Sequence, residues 1–248
     1  MLAILEKELK GWFAQPVAWL ICGFTLALMA YQFLVQIELF FSLETRLKQL
    51  AEAPGVSQII AVPTVGAGAA LILFLAPLLT MQTFAGERRG KTFPLFLASP
   101  VSAWEMVLGK FSGVLSIFVC LWSLVALMIA TLAVGTTLDW WLLASALAAL
   151  LLLTMAYVAI GIMTSSLTSQ PLIAGISALS IGLGLWLIDW TPGLQDDPGV
   201  LALLSSATHF RSLASGIVEA NDIIYFLAIA IAALVTAIWR VHGEREVF

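Results

Sequence analysis

Long runs of apolar residues, interrupted by short polar segments, follow one another along almost the entire chain. A helix needs about 20 mostly apolar residues to cross the hydrocarbon core of a bilayer. Six runs are of this order, and they lie at about residues 17–41, 65–84, 107–134, 140–163, 171–188 and 223–239. The pattern therefore predicts an all-α integral membrane protein with six transmembrane helices, in which residues 1–248 form a single transmembrane domain.

Composition agrees with this pattern and disfavours most soluble classes of protein. Of the 248 residues, 61% are hydrophobic and 10% are charged, and the mean hydropathy is +1.04. Soluble domains are about 45–50% apolar and about 25% charged. A water-soluble fold cannot bury such an excess of apolar surface. Soluble enzymes, nucleic-acid-binding proteins and disordered regulators are therefore disfavoured, and membrane lipid is the expected surrounding.

The segment before the first span, Met1–Phe13, has an amphipathic pattern, whereas the predicted spans are apolar throughout. Apolar residues recur at helical spacing, and Glu6, Lys7 and Lys10 occupy the other face. A helix of this kind lies in the plane of the membrane, and Pro16 marks the bend into the first span. We therefore expect an N-terminal amphipathic helix and no cleavable signal peptide.

The distribution of basic residues predicts the orientation of the chain. Lysine and arginine are enriched in loops on the cytoplasmic side of a membrane. With six spans and a cytoplasmic N-terminus, eight of the 11 basic residues lie inside and the other three outside. The inner set is Lys7, Lys10, Arg88, Arg89, Lys91, Lys110, Arg240 and Arg245, and the outer set is Arg46, Lys48 and Arg211. We expect a multi-pass protein of the bacterial cytoplasmic (inner) membrane with both termini in the cytoplasm.

The inner loop after the second span, residues 85–106, combines charged and apolar side chains. Its basic residues are Arg88, Arg89 and Lys91, and its apolar residues include Phe93, Leu95, Phe96, Leu97 and Trp104. A solvated loop that only fixed the topology would need the charges but not the apolar side chains. The mixture therefore favours a docking element for a cytoplasmic partner.

Nothing in the sequence forms a nucleotide-binding or catalytic site. The segment at residues 86–92 looks like a phosphate-binding loop, but it is one residue short of the pattern G-x-x-x-x-G-K-[ST]. It also follows a predicted membrane helix and contains Glu87, whose charge repels phosphate. The two histidines, His209 and His242, fall on opposite sides of the membrane in this topology. We expect no enzyme activity and no catalytic, cofactor-binding or metal-binding residue.

The outer connector, residues 189–221, begins with a turn-forming segment and continues as an apolar segment that contains His209 and Arg211. These two residues either contact a substrate or anchor a short interfacial helix, and the sequence favours the anchoring role. Charged residues within the spans are scarce, and Glu38 lies near an outer end. That scarcity disfavours a secondary carrier or an ion pump.

Three motifs resemble the permease subunits of type-2 ABC exporters, and most closely the gliding-motility-type branch. The first is Phe84-x-x-Glu87-Arg88-Arg89-x-Lys91-Thr92, followed by Leu97-x-Ser99-Pro100 and by Gly109-Lys110-Phe111. The second is Leu203-Leu204-Ser205 with His209-Phe210, Gly216 and Asp222-x-x-Tyr225-Phe226. The third runs from Gly161 through Ser165 to Gln170. The resemblance extends along nearly the whole chain.

The resemblance implies a six-span half-transporter with an N-terminal elbow helix and a cytoplasmic coupling helix between spans 2 and 3. A second copy, or a related permease, completes the translocation path. A separate ABC ATPase subunit binds ATP and Mg, so this chain itself needs no cofactor. The ATPase-coupling residues implied are Glu87, Arg88, Arg89, Phe93, Phe96, Leu97, Ser99 and Pro100. The link Thr164–Gln170 is a second, smaller contact, and the outer-loop motif consists of His209, Phe210, Gly216, Asp222 and Tyr225.

Two other classes of function fit part of the same pattern. A membrane scaffold that docks a cytoplasmic partner for envelope or motility machinery would also need the loop at residues 85–106. A channel or secondary carrier is opposed by the scarcity of polar residues in the spans. For an exporter, the apolar spans are compatible with lipid, lipid-linked, peptide or drug cargo and argue against a small hydrophilic ion.

Overall fold

The structure is a computed structural model that describes Gly11 and residues 16–47, 55–91, 101–188 and 202–245. These residues form helices and turns, with no strand in the ranges described. The helices are α1 (Pro16–Leu47), α2 (Val62–Thr80), α3 (Ala85–Arg89), α4 (Ala103–Ala130), α5 (Trp140–Leu167), α6 (Pro171–Leu187), α7 (Ser206–Ala214) and α8 (Ala220–Arg245). A π-helical turn, Ser57–Ala61, runs directly into α2, and 3-10 turns lie at Thr131–Val134 and Ala202–Leu204. The predicted all-helical fold is confirmed for this part of the chain.

Five segments of the described chain are long and apolar enough to cross a membrane. They are Trp19–Leu43, Ser57–Arg89, Ala103–Val134, Trp140–Leu167 and Ala220–Glu244. The remaining predicted span, at residues 171–188, is found as α6, an apolar helix of 17 residues. The structure therefore confirms five of the predicted membrane-crossing helices by length and composition, but not a count of six.

Helix α5 is the centre of the bundle and packs against α2, α4, α6, α7 and α8. Close approach to α2 depends on Gly161, because a Cβ atom there would lie 2.8 Å from the Cβ of Thr80. Small residues are the usual means by which membrane helices approach one another. The buried indole of Trp122 on α4 donates to the hydroxyl of Thr154 on α5 at 3.0 Å, so its polar atom is satisfied inside the bundle.

The long helices run in alternating directions between two ends of the bundle. At one end, which we call the basic end, Arg88 lies beside Glu244 near the end of α8. At the other end, which we call the tryptophan end, the indole of Trp141 on α5 donates to the carbonyl of Gly216, shortly before α8 begins.

Capping residues fix where two of the long helices start. Ser102 accepts from the amide of Glu105, whose carboxylate accepts from the amide of Ser102, which is a complete capping box at the start of α4. Asp139 accepts from the amides of Trp141 and Leu142 at the start of α5. Both caps lie within one or two turns of the predicted span boundaries.

One predicted boundary is wrong. Helix α5 continues to Leu167, so the predicted link Thr164–Gln170 is reduced to its last three residues, because Ser165 and Ser166 are fully buried within the bundle. The connector at residues 189–221 contains α7, in the part where a short helix was expected. The amphipathic helix predicted at Met1–Phe13 lies outside the described residues apart from Gly11.

Candidate functional site

The chain turns at the basic end between α2 and α3, and a single serine of α5 holds this turn. The Oγ atom of Ser165 accepts from the backbone amides of Phe84 and Ala85, both at 3.1 Å, and donates to the carbonyl of Met81 at 3.2 Å. A hydroxyl has one proton to donate and two lone pairs that accept, so every bond available to this hydroxyl is used. The start of α3 is therefore fixed to the central helix.

A buried ion pair joins α3 to α4. The Nζ atom of Lys110 lies 2.7 Å from Oε1 of Glu87, and it also donates to the carbonyl of Thr83 at 2.9 Å. The ring of Phe84 lies 5.2 Å from the same ammonium group. Only 2% of the Lys110 side chain is exposed. Burial of such a charge is tolerable because an opposite charge and further hydrogen-bond acceptors surround it.

A second ion pair joins α3 to α8. The guanidinium of Arg88 lies 2.9 Å from Oε2 of Glu244, and Arg240 lies 3.0 Å from the other oxygen of the same carboxylate. The carboxylate of Glu244 thus bridges its own helix to α3. We call Glu87, Arg88, Lys110, Ser165 and Glu244 the α3 junction, because together they attach one short helix to α4, α5 and α8.

The three charged residues predicted for coupling have different positions. Glu87 and Arg88 are turned into the α3 junction, whereas Arg89 is exposed. Arg89 and Arg88 line a cleft of roughly 590 Å³ whose other wall is the turn from Ser169 to Leu172 between α5 and α6. Two residues of the predicted main contact and the end of the predicted smaller contact therefore line the same cleft.

The rest of the predicted coupling set is Phe93, Phe96, Leu97, Ser99 and Pro100, and these five residues lie outside the described residues. The described part of the loop ends in a turn, where Lys91 has a φ of 55°. The chain is described again from Val101, and the side chain of Trp104 in the first turn of α4 is 57% exposed.

Sequence reasoning missed the contacts that form the α3 junction: it gave Glu244 no role, and it placed Ser165 in a predicted contact without a partner. Ser165 acts across about 80 residues of sequence and Glu244 across 156. No spacing rule connects positions so far apart. The one local signal was Lys110, a lysine at the start of an apolar run, which is expected to have a partner when it is buried.

At the tryptophan end, three residues of the predicted outer-loop motif come together. The Nδ1 atom of His209 lies 2.6 Å from Oδ1 of Asp222, and its Nε2 atom lies 3.2 Å from the carbonyl of Leu203. The imidazole stacks on the ring of Tyr225, with centroids 4.2 Å apart, and the Tyr225 hydroxyl donates to the carbonyl of Leu204 at 2.7 Å. We call these five residues the histidine cluster.

The other two motif residues lie beside this cluster, not within it. Phe210 packs against Trp186 of α6, with centroids 6.0 Å apart. Gly216 ends the segment with a φ of 89°, a conformation that favours glycine, and its carbonyl accepts from Trp141. Phe210 therefore fixes α7 to α6, and Gly216 fixes the end of the segment to α5.

The start of α7 lies deep among the long helices. The hydroxyls of Ser206 and Tyr157 are 2.7 Å apart, and the Tyr157 hydroxyl also donates to the carbonyl of Gly182 at 3.2 Å. Tyr157 follows Trp140 by 157 − 140 = 17 residues, which is about 26 Å along a helix axis. The segment from Ala202 to Ser215 therefore enters the bundle between α5, α6 and α8 and returns to the tryptophan end.

In a comparison with known families, a family model described as ABC-2 family transporter protein matches residues 2–192. The chain belongs to this family. A comparison with curated proteins gave no match. The matched range includes the α3 junction up to Lys110 and Ser165, and it ends before the histidine cluster.

Membership of the ABC-2 transporter family makes this chain the membrane-embedded permease component of an ABC transporter. The predicted type-2 ABC permease is thus confirmed at the level of the family. Such permeases are generally not catalytic, and they normally pair with an ABC ATPase subunit. Among the described residues, no group of three or more histidine, cysteine or acidic side chains is placed to hold a metal ion.

Proposed function

We propose that this ABC-2 permease is one half of an exporter, in which two copies form the translocation path and a separate ATPase subunit docks at the basic end. The observation that carries the proposal is the α3 junction. A short element at the surface, with one exposed arginine, is attached to three long helices. That arrangement suits a lever, because force applied to α3 would move α4, α5 and α8 together.

The basic end is the cytoplasmic end in this proposal. Arg88, Arg89, Lys91, Lys110 and Arg240 all lie there, which agrees with the enrichment of basic residues on the cytoplasmic side. Helix α6 then serves as the sixth span. Its 17 residues reach about 26 Å, which is near the lower limit for crossing the hydrocarbon core. With six spans and a cytoplasmic basic end, both termini lie in the cytoplasm.

The docking surface consists of Arg89, the turn Ser169–Leu172 and Trp104. Arginine and tryptophan are the side chains most often found at the energetic centre of protein interfaces. An exposed guanidinium next to a cleft favours an acidic group on the ATPase. Glu87 and Arg88 do not contact the ATPase in this proposal but transmit movement to α4 and α8, since their charges are already paired within the permease.

The face of α1 that is left uncovered supports a second copy as the neighbour. Leu20, Phe24, Tyr31 and Leu34 are each more than 60% exposed. Tyr31 is at the centre of the candidate span Trp19–Leu43, and a phenol hydroxyl at that depth is unfavourable in lipid. A protein neighbour or a hydrated path would satisfy it. The closer assignment to the gliding-motility-type branch rests on the sequence motifs alone.

In the proposed cycle, ATP-driven closure of the two ATPase subunits pushes both copies of α3. The ion pairs of the α3 junction carry that push to the long helices, and the interface between the two copies opens. This chain contributes docking, transmission and the walls of the path, whereas ATP and Mg belong to the ATPase.

Copurification tests the docking surface. The tagged permease is extracted in mild detergent, and its stoichiometric partners are identified by mass spectrometry. We expect an ABC ATPase subunit with the unaltered chain, and loss of most of it with Arg89→Glu. The matched control is Arg211→Glu, which reverses the charge of an exposed arginine at the tryptophan end and should retain the ATPase.

The outcome also separates the exporter from the scaffold. If both variants retain the ATPase equally, the docking surface is not where we place it. If the stoichiometric partner of the unaltered chain has no nucleotide-binding domain, the scaffold function is correct and the exporter is not.

A further inference from the structure

The uncovered face of α1 carries a hydroxyl group that its own chain leaves unsatisfied. Tyr31 is 68% exposed and lies at the centre of the candidate span Trp19–Leu43. Its hydroxyl makes no hydrogen bond to another described residue, whereas the hydroxyls of Tyr157 and Tyr225 both donate to backbone carbonyls. The hydrocarbon core of a bilayer offers no water to such a group, so its partner must come from outside this chain.

Helix α6 has an exposed hydroxyl of the same kind. Ser180 is exposed and lies next to the central residue of α6. Exposed hydroxyls elsewhere on the long helices bond to a carbonyl of their own helix, as those of Ser123 and Thr236 do at 2.7 and 2.8 Å. Ser180 makes no hydrogen bond to another described residue. The chain therefore leaves one hydroxyl of α1 and one of α6 without a partner near the middle of the membrane.

Helix α8 has the kind of face expected of a helix in contact with lipid. Thr236 on that face is satisfied by the carbonyl of Ala232 in its own helix. The large side chains exposed before it are aliphatic, namely Ile224, Leu227, Ile231 and Val235. Lipid can cover such a face without cost. The uncovered faces of α1 and α6 differ from it, because a hydroxyl of each lacks a partner.

The arrangement of the helices allows these two faces to meet across a two-fold axis. Helix α2 packs against both α1 and α6, so the two helices flank the same neighbour. Both also run from the basic end to the tryptophan end, since α6 begins beside Arg88 and α1 leads to the turn at Ser57 that contacts Asp139. In a two-fold dimer, a contact from α1 to α6 of the second copy is made twice. A two-fold axis along the membrane normal keeps each residue at its depth.

The depths of the two hydroxyls also match. Tyr31 follows Trp19 by 31 − 19 = 12 residues, about 18 Å along the axis, and Ser180 follows Pro171 by 180 − 171 = 9 residues, about 14 Å. Side chains of a helix tilt toward its N-terminus, which is the basic end here, so the hydroxyl of Tyr31 lies closer to the level of Ser180 than its Cα does. Gly184, one turn above Ser180, is exposed and leaves room for the tyrosine ring.

We propose that the hydroxyl of Tyr31 bonds to that of Ser180 in a second copy of the chain, so that α1 packs against α6 of its partner. A dimer contains two such contacts. The chain already uses the same chemistry internally, where the hydroxyls of Tyr157 and Ser206 lie 2.7 Å apart. The inference rests on the proposed function, because it needs two adjacent copies and a membrane-spanning α6, but it does not need the ATPase.

Cross-linking of cysteines in membranes tests which helices meet. Tyr31→Cys and Ser180→Cys are combined in a chain in which Cys22 and Cys120 have been replaced by alanine. The membranes are treated with a short thiol-specific cross-linker, because a disulfide requires Cα atoms within about 7 Å and a tyrosine–serine contact is longer. We expect a product of twice 26.7 kDa on a denaturing gel.

Three matched variants identify the surface. Tyr31→Cys alone and Ser180→Cys alone should remain monomeric. The pair Tyr31→Cys and Ile231→Cys should also remain monomeric, since Ile231 is exposed on α8, near the middle of that helix. A dimer from either single variant would overturn the inference, because it would mean that α1 meets α1 or α6 meets α6. Equal products from both pairs, or no product from either, would overturn it too.

A second measurement tests the hydrogen bond itself. Tyr31→Phe and Ser180→Ala should each raise the dissociation constant of the dimer in detergent roughly fivefold to tenfold, as expected for loss of two bonds between membrane helices. The two changes together should have no larger effect than one. Trp239→Phe, at an exposed position of α8, should change nothing. Additive effects of the two changes, or none, would contradict a bond between Tyr31 and Ser180.

Failure of this inference is distinct from failure of the proposed function. Two permease copies that copurify with an ATPase but do not cross-link through these positions would remove the contact and leave the exporter. A specific cross-link in a chain that has no ATPase partner would keep the contact and remove the exporter.

Discussion

At the scale of single residues, both sites depend on ionisable groups that lie inside the protein beside a partner. Glu87 and Lys110 are 2.7 Å apart, and His209 and Asp222 are 2.6 Å apart. Removal of one member of a buried pair typically costs about 3–5 kcal/mol, because the other charge loses its compensation. The pairs therefore hold their neighbouring elements in one relative position.

The close approach of α5 to α2 also depends on one residue. Gly161→Ala should destabilise the fold by about 1–3 kcal/mol, as overpacking usually does, because the added methyl group meets the fully buried Thr80. The measurement is the midpoint of thermal unfolding in detergent. Gly66→Ala on α2 is the matched control, since nothing lies within 4 Å of the position its Cβ would take. Equal midpoints for the two variants would contradict the packing of α5 against α2.

At the scale of elements, apolar length was sufficient to place most of the helices. It predicted a span at residues 140–163, and the helix there is Trp140–Leu167. The last turn was missed because Ser165 and its neighbours look like a polar link, and only tertiary contacts make them buried. Helix α7 has nine residues and was expected as a short interfacial helix, but its entry into the bundle was missed, because the burial of Ser206 depends on its contact with Tyr157.

The sequence motifs identified many residues of the two candidate sites, but they did not predict which of these residues contact one another. The motif around Glu87 and Arg88 located α3, but no pattern in the sequence indicated that both residues pair within the chain. Glu244 lies 156 residues from Arg88, and a contact over such a distance is set by the fold. The same is true of His209, whose carbonyl partner at Leu203 belongs to the backbone.

The ion pair between Arg88 of α3 and Glu244 of α8 predicts that substitutions of the two residues have non-additive effects on α3. Arg88→Gln and Glu244→Gln should each speed hydrogen exchange of the α3 amides, since either change removes the same ion pair. The variant with both changes should exchange no faster than the faster single variant, because interacting residues are not additive. Arg211→Gln at the tryptophan end should leave α3 unchanged. Additive effects would mean that Arg88 and Glu244 act separately.

At the scale of the whole molecule, the long helices alternate between a basic end and a tryptophan end, with one polar site at each. The α3 junction and the histidine cluster are connected through shared helices, since α8 carries Glu244 near one end and Asp222 at the other. Helix α5 likewise contacts α3 through Ser165, and it contacts the segment at residues 202–215 through Tyr157. Helices α5 and α8 therefore both connect the basic end to the tryptophan end and could each transmit movement between them.

The number of spans determines where the two termini lie. If α6 crosses the membrane, a reporter that is active only in the cytoplasm should be active when fused after residue 248 and also when fused before residue 1. The same reporter placed at Thr136, in the exposed turn before α5, should be inactive. Activity at only one terminus would show that α6 does not span the bilayer.

The most direct test of the whole account is native mass spectrometry of the complex extracted in mild detergent. The account predicts an assembly of two permease copies, each of 26.7 kDa, with ABC ATPase subunits that bind ATP. An assembly of the permease alone, or one whose only partners have no nucleotide-binding domain, would contradict it.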